Sequence, residues 1–150
     1  MTEIYVMTHT SQQWEQTIHF AENCLWSAGK CLTKMMTNNE FLSYERVITA
    51  CVDDKVVGFC TFTRKDEMPD KYDFEGFIGF VFVDEEHRGQ RLSEKMINTA
   101  GAYAKRIGYE KVYIMSGEKG LYEKYGFSKI GEYDTIYGTF EQLFVRKAVL

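Results

Sequence analysis

Apolar and polar positions recur with two different periods, which divide the chain into seven strand-like and four helical segments. Short runs rich in β-branched and aromatic residues are typical of strands, and apolar residues spaced three and four apart are typical of helices. The order β-α-α-β-β-β-α-β-α-β-β predicts an α/β fold with a mixed sheet. The predicted strands are residues 3–7, Arg46–Val52, Lys55–Thr63, Phe77–Val83, 111–115, 128–133 and 139–146.

The first helical pattern follows Ser11, a residue suited to a helix N-cap. We expect this helix to continue to Gly29, with Leu25 among its apolar positions. The other three helical patterns cover residues 32–36, 92–107 and 118–125.

The run Phe77–Val83 is apolar at every position except Gly79, which predicts a central strand buried on both faces. A glycine inside such a strand indicates a β-bulge or the close approach of another group. A polar turn containing Gly89 follows, and the helical pattern begins at Leu92. A strand that leads into a helix in this way directs backbone N–H groups and the helix dipole at one place, which predicts an anion site.

The side chains of this turn suit a phosphate ligand. Gly89 permits a tight turn and Ser93 is small enough for close approach, while Arg88 and Arg91 add positive charge. Surface ion pairs are an equally open interpretation of the two arginines, because three glutamates lie nearby in the sequence: Glu85, Glu86 and Glu94.

Length and charge restrict the class of protein. A chain of 150 residues predicts a single domain, residues 1–150, with a substantial core. The net charge of −4 argues against nucleic acid as a partner, since phosphate binding needs clustered cations. No apolar run approaches the length of about 18 residues that spans a membrane, and the N-terminal residues lack the pattern of a signal peptide.

The four cysteines and three histidines show no spacing that is typical of metal ligands, so we expect no metal site. Cys51 and Cys60 lie in apolar runs, where a buried free thiol is common. We therefore expect reduced cysteines and a cytoplasmic protein.

Residues 64–76 form a polar segment with five carboxylates and three cations. One interpretation is a solvated loop. The other is an acidic lip beside a site for a cationic substrate.

Two segments resemble conserved motifs of the GNAT superfamily of N-acetyltransferases. Residues 81–97 are similar to motif A, whose pattern is Arg/Gln-x-x-Gly-x-Gly/Ala: Arg88 matches the first position, whereas Arg91 and Ser93 replace the two later small residues. Residues 120–127 are similar to motif B, Phe-Tyr-x-x-x-Gly-Phe, in which Tyr122 occupies the tyrosine position.

The resemblance implies a central mixed, mostly antiparallel sheet flanked by helices, with strands 4 and 5 splayed to hold acetyl-CoA. It implies transfer of the acetyl group to a primary amine of a small molecule or peptide, and leaves a homodimer open. The pantetheine arm would bind the strand edge as an added strand, and a backbone N–H there would stabilise the oxyanion. The implied cofactor-binding residues are Val81, Phe82, Val83, Arg88, Gly89, Gln90, Arg91, Leu92, Ser93, Ser116 and Tyr122.

The resemblance also implies roles in proton transfer. The acceptor amine, with a pKa of about 10, must lose a proton before it attacks. Glu75, just before the central strand, is our candidate base, acting through water; Glu67 and Asp73 are weaker candidates, and a solvated carboxylate is an equally open interpretation of Glu75. Tyr122 is the candidate acid for the leaving thiolate, with a core tyrosine as the alternative.

Two other functions stay open at this stage. One is a GNAT-like module that binds acyl-CoA as a sensor or partner domain without catalysis. The other is a nucleotide site, which the absence of a Walker Gly-x-x-x-x-Gly-Lys sequence disfavours. For an acetyltransferase, the acceptor pocket would be formed by residues 14–36, 64–76 and 133–140, with Trp26, Tyr72 and Tyr137 as its lining.

Overall fold

A computed structural model describes all 150 residues and contains every strand that the pattern predicts. The seven strands form one sheet in the order β1-β2-β3-β4-β5-β7-β6. The strands are β1 (Thr2–Met7), β2 (Arg46–Val52), β3 (Lys55–Thr63), β4 (Phe77–Val83), β5 (Lys111–Ser116), β6 (Ser128–Asp134) and β7 (Phe140–Lys147). The helices are α1 (Trp14–Asn23), α2 (Ala28–Thr37), α3 (Leu92–Arg106) and α4 (Leu121–Lys124), with a 3-10 turn at Glu85–His87.

The sheet is antiparallel except at its centre. Strands β1 to β4 pair antiparallel in chain order, and β7 pairs antiparallel with both β5 and β6. The parallel pair β4–β5 is joined only where Phe77 meets Tyr113, and the two strands separate beyond it. The predicted mixed sheet with strands 4 and 5 splayed is therefore confirmed.

The two sides of the sheet are covered by different helices. Helix α3 packs its apolar face, including Met96, Ala100 and Tyr103, on one side. Helices α1 and α2 cover the other side, where Leu32 and Phe59 lie in a second cluster. The central strands are thus packed on both sides beside the place where β4 and β5 part.

The prediction of one helix from Ser11 to Gly29 is wrong. The chain breaks between α1 and α2 because Cys24 adopts an extended backbone, and Leu25 is 96% exposed in the connection. Ser11 does not cap α1; its hydroxyl accepts a hydrogen bond from the Thr8 N–H, and the N-cap is Gln13. The predicted segment 32–36 is the interior of α2.

A β-bulge interrupts β4. Phe59 pairs with Phe82 and Thr61 pairs with Gly79, so the one residue between them on β3 faces two residues of β4. Phe80, the first of the two, has a φ of 51°. The bulge predicted from Gly79 is confirmed, but burial on both faces is not, because residues 80–82 are only half-buried where they line a cleft.

The longest helix, α3, has 15 residues, and no helix combines the length and apolar character needed to cross a bilayer. The four cysteines are free, and Cys51 and Cys60 are buried as predicted. No group of three or more histidine, cysteine or acidic side chains is arranged to hold a metal ion.

Candidate functional site

A cleft of about 1340 Å³ opens where β4 and β5 separate. One wall is the second half of β4, with Val81, Phe82 and Val83. Because β4 pairs only with β3 in this half, its edge facing β5 has no strand partner. An extended chain with amide groups can therefore bind this edge as an additional strand.

The N-terminus of α3 borders a smaller pocket of about 320 Å³ that adjoins the cleft at Val83. No side chain caps the first turn of α3, so its backbone N–H groups lack that partner. Gly89 has a φ of 83° and has nothing within 4 Å of the place where a Cβ would stand. Five of the predicted phosphate-binding residues line this pocket, whereas Gln90 lines neither cavity; the five are Arg88, Gly89, Arg91, Leu92 and Ser93.

The two arginines differ in their contacts. The Nε of Arg88 donates to the carbonyl of Val83 at 3.0 Å, and its guanidinium lies over the ring of Phe82. Arg88 forms no ion pair with a glutamate, so its charge is held at the junction of cleft and pocket. Arg91 is 69% exposed and pairs with Glu94, which is the surface ion pair that the sequence left open.

Arg91 also has an unusual backbone. It is the N-cap of α3 and has a φ of 60°, in the left-handed region that glycine adopts most easily. The glycine of the motif A pattern matches this backbone conformation, and arginine adopts it here with its side chain directed to Glu94.

Tyr122 lies on α4 and lines the cleft opposite β4. It is 5% exposed and packs against Phe127 and Phe144, so it is both a core tyrosine and a cleft residue. Burial raises the pKa of the Tyr122 hydroxyl to about 12, the charge of Glu118 adds to this, and the hydroxyl of Ser116 acts in the opposite direction. The phenol, which is protonated at neutral pH even at its usual pKa of 10, can act as a hydrogen-bond donor.

Helices α3 and α4 are connected beside the cleft. The hydroxyls of Ser93 and Tyr125 are hydrogen-bonded at 2.8 Å. Ser116 lines the cleft, and its hydroxyl accepts a hydrogen bond from the N–H of Glu118. These contacts hold Tyr122 close to the N-terminus of α3.

The structure does not bring Glu75 into the cleft. Its side chain is 48% exposed and pairs with Arg64 at 3.0 Å. Asp66 and Glu67 line the cleft instead. Sequence reasoning ranked Glu67 below Glu75 and did not consider Asp66 as a base, although Gly79 signalled that some group approaches the strand there.

The far end of the cleft is lined by the α1–α2 connection and the β6–β7 loop. Trp26 and Tyr137 line it as predicted, together with Ile136. Tyr72 does not line the cleft; it packs against Tyr133 and its hydroxyl donates to Asp134. The backbone N–H of Ile136 donates to the carbonyl of Glu67, which joins the acidic segment to this loop.

The model of the GNAT acetyltransferase family matches residues 7–127. The chain belongs to this family. Acetyl-CoA is the acetyl donor of GNAT acetyltransferases, and the separated β4–β5 pair beside an uncapped helix N-terminus fits it. No curated protein matches the sequence.

Solved GNAT structures share the whole fold at low sequence identity. The GNAT family N-acetyltransferase YhbS from Escherichia coli, in complex with CoA, is 19% identical with a TM-score of 0.69, over 99% of this chain and 82% of that one. A GNAT acetyltransferase from Elizabethkingia anophelis with acetyl-CoA bound is 15% identical with a TM-score of 0.64, over 97% of both chains. An aminoglycoside 6'-N-acetyltransferase complexed with coenzyme A is 11% identical with a TM-score of 0.70, over 99% and 98%.

Proposed function

We propose that this protein transfers the acetyl group of acetyl-CoA to a primary amine of a small molecule or peptide. The observation that carries the proposal is the separation of β4 from β5 directly beside the N-terminus of α3. In this proposal the pantetheine arm binds Val81, Phe82 and Val83, and Ser116 and Tyr122 line its other side. The pyrophosphate binds the α3 N-terminus, with Arg88, Gly89, Arg91, Leu92 and Ser93 nearest and Gln90 in the same turn.

The reaction needs the protein to stabilise an oxyanion and to protonate the leaving thiolate. The amine nitrogen attacks the thioester carbonyl carbon, which forms a C–N bond and breaks the C–S bond. A backbone N–H at the β4 bulge is suited to stabilise the developing oxyanion. Tyr122 is suited to protonate the leaving thiolate, because its hydroxyl is protonated and lies in the cleft.

The walls of the cleft favour an amine that carries an apolar group. Trp26, Phe80 and Phe82 form a continuous set of rings, with Trp26 stacked on Phe82 at 5.7 Å. Asp66 and Glu67 face the same space and suit an ammonium. An arylalkylamine or a peptide amine next to an apolar side chain combines these two properties.

An amine panel tests the activity. Thiol release from acetyl-CoA is followed with arylalkylamines, a polyamine, an aminoglycoside and short peptides, and mass spectrometry locates the acetyl group on nitrogen. We expect the arylalkylamines or peptides to stimulate release most strongly. Acetyl-CoA binding without stimulation by any amine would instead indicate a silent acyl-CoA-binding module.

Three further properties remain predictions. We propose that residues 1–150 act as one domain and that the protein is located in the cytoplasm. The third property is the oligomeric state, for which the family resemblance allows a homodimer. Sedimentation of the protein with and without acetyl-CoA measures the last of these.

A further inference from the structure

The cations of the acidic segment are all engaged away from Asp66. Arg64 pairs with Glu75 and Asp70, and Lys71 pairs with Asp134. The ammonium of Lys65 donates to the backbone carbonyl of Tyr72. Asp66 forms no ion pair and its carboxylate has no hydrogen-bond partner, although it lines the cleft. A carboxylate left in this state is free to contact a substrate.

Asp66 lies directly over the central strand. A Cβ built on Gly79 would stand 2.5 Å from the Oδ2 of Asp66 and 3.0 Å from its Oδ1. Only a residue without a side chain leaves room for the carboxylate at this position. Gly79 immediately precedes the β-bulge at Phe80, so Asp66 lies beside the part of β4 that lines the cleft.

A buried threonine lies on the same face of the sheet. Thr61 pairs with Gly79 across the β3–β4 ladder, so its side chain lies on the same face of the sheet as the Asp66 carboxylate. Thr61 is 1% exposed and its hydroxyl oxygen has no hydrogen-bond partner. A buried hydroxyl without a partner is rare in a native protein. Thr61 does not line the cleft, so its hydroxyl belongs to the packing beside Gly79 and not to the surface that a substrate would contact.

Burial and a neighbouring carboxylate bring the pKa of Asp66 close to neutral pH. Burial raises the pKa of Asp66 to about 7, and the negative charge of Glu67 contributes in the same direction. Glu67 itself faces Glu141, and Tyr137 faces Asp66 from the β6–β7 loop. A base is most effective when its pKa lies near the working pH.

We propose that Asp66, and not Glu75, is the base that accepts the proton of the acceptor ammonium. The inference rests on the acetyl transfer proposed above. Asp66 takes one proton from the ammonium, directly or through a water in the cleft, and passes it to solvent. The nitrogen then attacks and loses a second proton as the amide forms. That proton restores the Tyr122 hydroxyl, which has given its own proton to the CoA thiolate, so one proton in total passes to solvent.

The test compares Asp66→Asn with the wild-type protein across pH, using the amine that the panel identifies. We expect the wild-type kcat/KM to fall below pH 7, as Asp66 becomes protonated, and Asp66→Asn to be slower by about 10² to 10⁴-fold at pH 7. The variant should recover as the pH approaches the pKa of the amine, because the amine then loses its proton without help. Its affinity for acetyl-CoA should equal that of the wild-type protein.

Two neighbouring carboxylates supply matched controls. Glu75→Gln should keep the wild-type pH profile. Glu67→Gln should move the acidic limb of the profile to lower pH, because loss of its negative charge lowers the pKa of Asp66. Gly79→Ala tests the same role by a second route, since its methyl group displaces the Asp66 carboxylate without removing it. This variant should also lower kcat/KM at pH 7.

The outcomes separate the two proposals. If Asp66→Asn kept the wild-type dependence of kcat/KM on pH, or if Glu75→Gln showed the large loss of kcat/KM instead, the role of Asp66 would be overturned while acetyl transfer stands. Absence of turnover by the wild-type protein, with acetyl-CoA still bound, would overturn the proposed function and the role of Asp66 with it.

Discussion

At the scale of single residues, the cleft depends on side chains that the surrounding packing holds in place. Tyr122 is buried on α4, and burial raises its pKa further above neutrality; Arg88 is tied to the end of β4 by a hydrogen bond to Val83. Motif spacing identified both residues. Their surroundings and their orientation are consequences of the tertiary packing.

Replacing Tyr122 by phenylalanine should lower kcat at neutral pH by at least about tenfold, because the leaving thiolate loses its donor. The ring packing against Phe127 and Phe144 is retained, so we expect the affinity for acetyl-CoA and the melting temperature to change little. Steady-state kinetics and calorimetric titration measure these quantities. Tyr113→Phe, on β5 and outside both cavities, is the matched control. An unchanged kcat in Tyr122→Phe would remove its role as acid.

Arg91 tests whether the left-handed backbone or the side chain matters to cofactor binding. Arg91→Gly should keep the affinity for acetyl-CoA, because the side chain is directed to Glu94. Arg91→Val should lower the free energy of unfolding by about 1 to 2 kcal/mol, since a β-branched residue fits the left-handed region poorly. A large loss of affinity in Arg91→Gly would show that the guanidinium contacts the phosphates.

At the scale of elements, the site is the junction of β4, the turn at residues 84–91 and α3. The parallel pair opens beyond Phe77, and the helix N-terminus lies at the end of the same strand. A bulge at Phe80 redirects the strand where it borders the cleft. The arrangement provides an unpaired strand edge and free helix N–H groups within one continuous space.

Gly89 and Gly108 form a matched pair for testing the turn. Both have a positive φ, and a Cβ at either would meet nothing within 4 Å. Valine at each position should therefore cost a similar free energy of unfolding, on the order of 1 to 2 kcal/mol. Only Gly89→Val should weaken acetyl-CoA binding, because only Gly89 borders the α3 N-terminus. Equal affinities in the two variants would mean that the phosphates bind elsewhere.

At the scale of the whole molecule, the half-buried carboxylate of Asp66 links the site to stability. The pKa of Asp66 is raised from 3.8 to about 7, so the folded protein binds the proton more tightly than the unfolded chain does. The stabilising effect of protonation is complete at low pH and is lost as the pH rises from about 4 through 7. The ionised carboxylate that a base needs at neutral pH is therefore the less stabilising form of Asp66.

Asp66→Asn should be more stable than the wild-type protein above pH 7, by an amount on the order of 1 to 3 kcal/mol. Asparagine carries no charge to desolvate, so the difference should vanish near pH 4. Urea denaturation at several pH values measures it. Glu75→Gln should show no comparable trend, and a constant difference for Asp66→Asn would mean that its carboxylate is not buried from solvent.

Local patterns were sufficient for those features that depend on neighbouring residues. The period of the apolar residues predicts the strands and α3. The glycine within the central strand predicts the bulge, and the spacing of residues in two short segments identifies the motifs. The early helices were predicted less well, because the break at Cys24 has no proline or glycine to mark it and is stabilised by tertiary packing around Trp26.

The amino-acid sequence was sufficient to predict the order of elements, the turn that leads from the central strand into α3 and the tyrosine that lines the cleft, since each lies within a short contiguous segment. Tertiary structure alone decided where β4 and β5 part, which carboxylate enters the cleft and what protonation state it has. These depend on contacts between distant segments: Arg64 holds Glu75 outside, and Gly79 makes room for Asp66. Burial, which no local pattern reports, then sets the proton affinity of the group that remains inside.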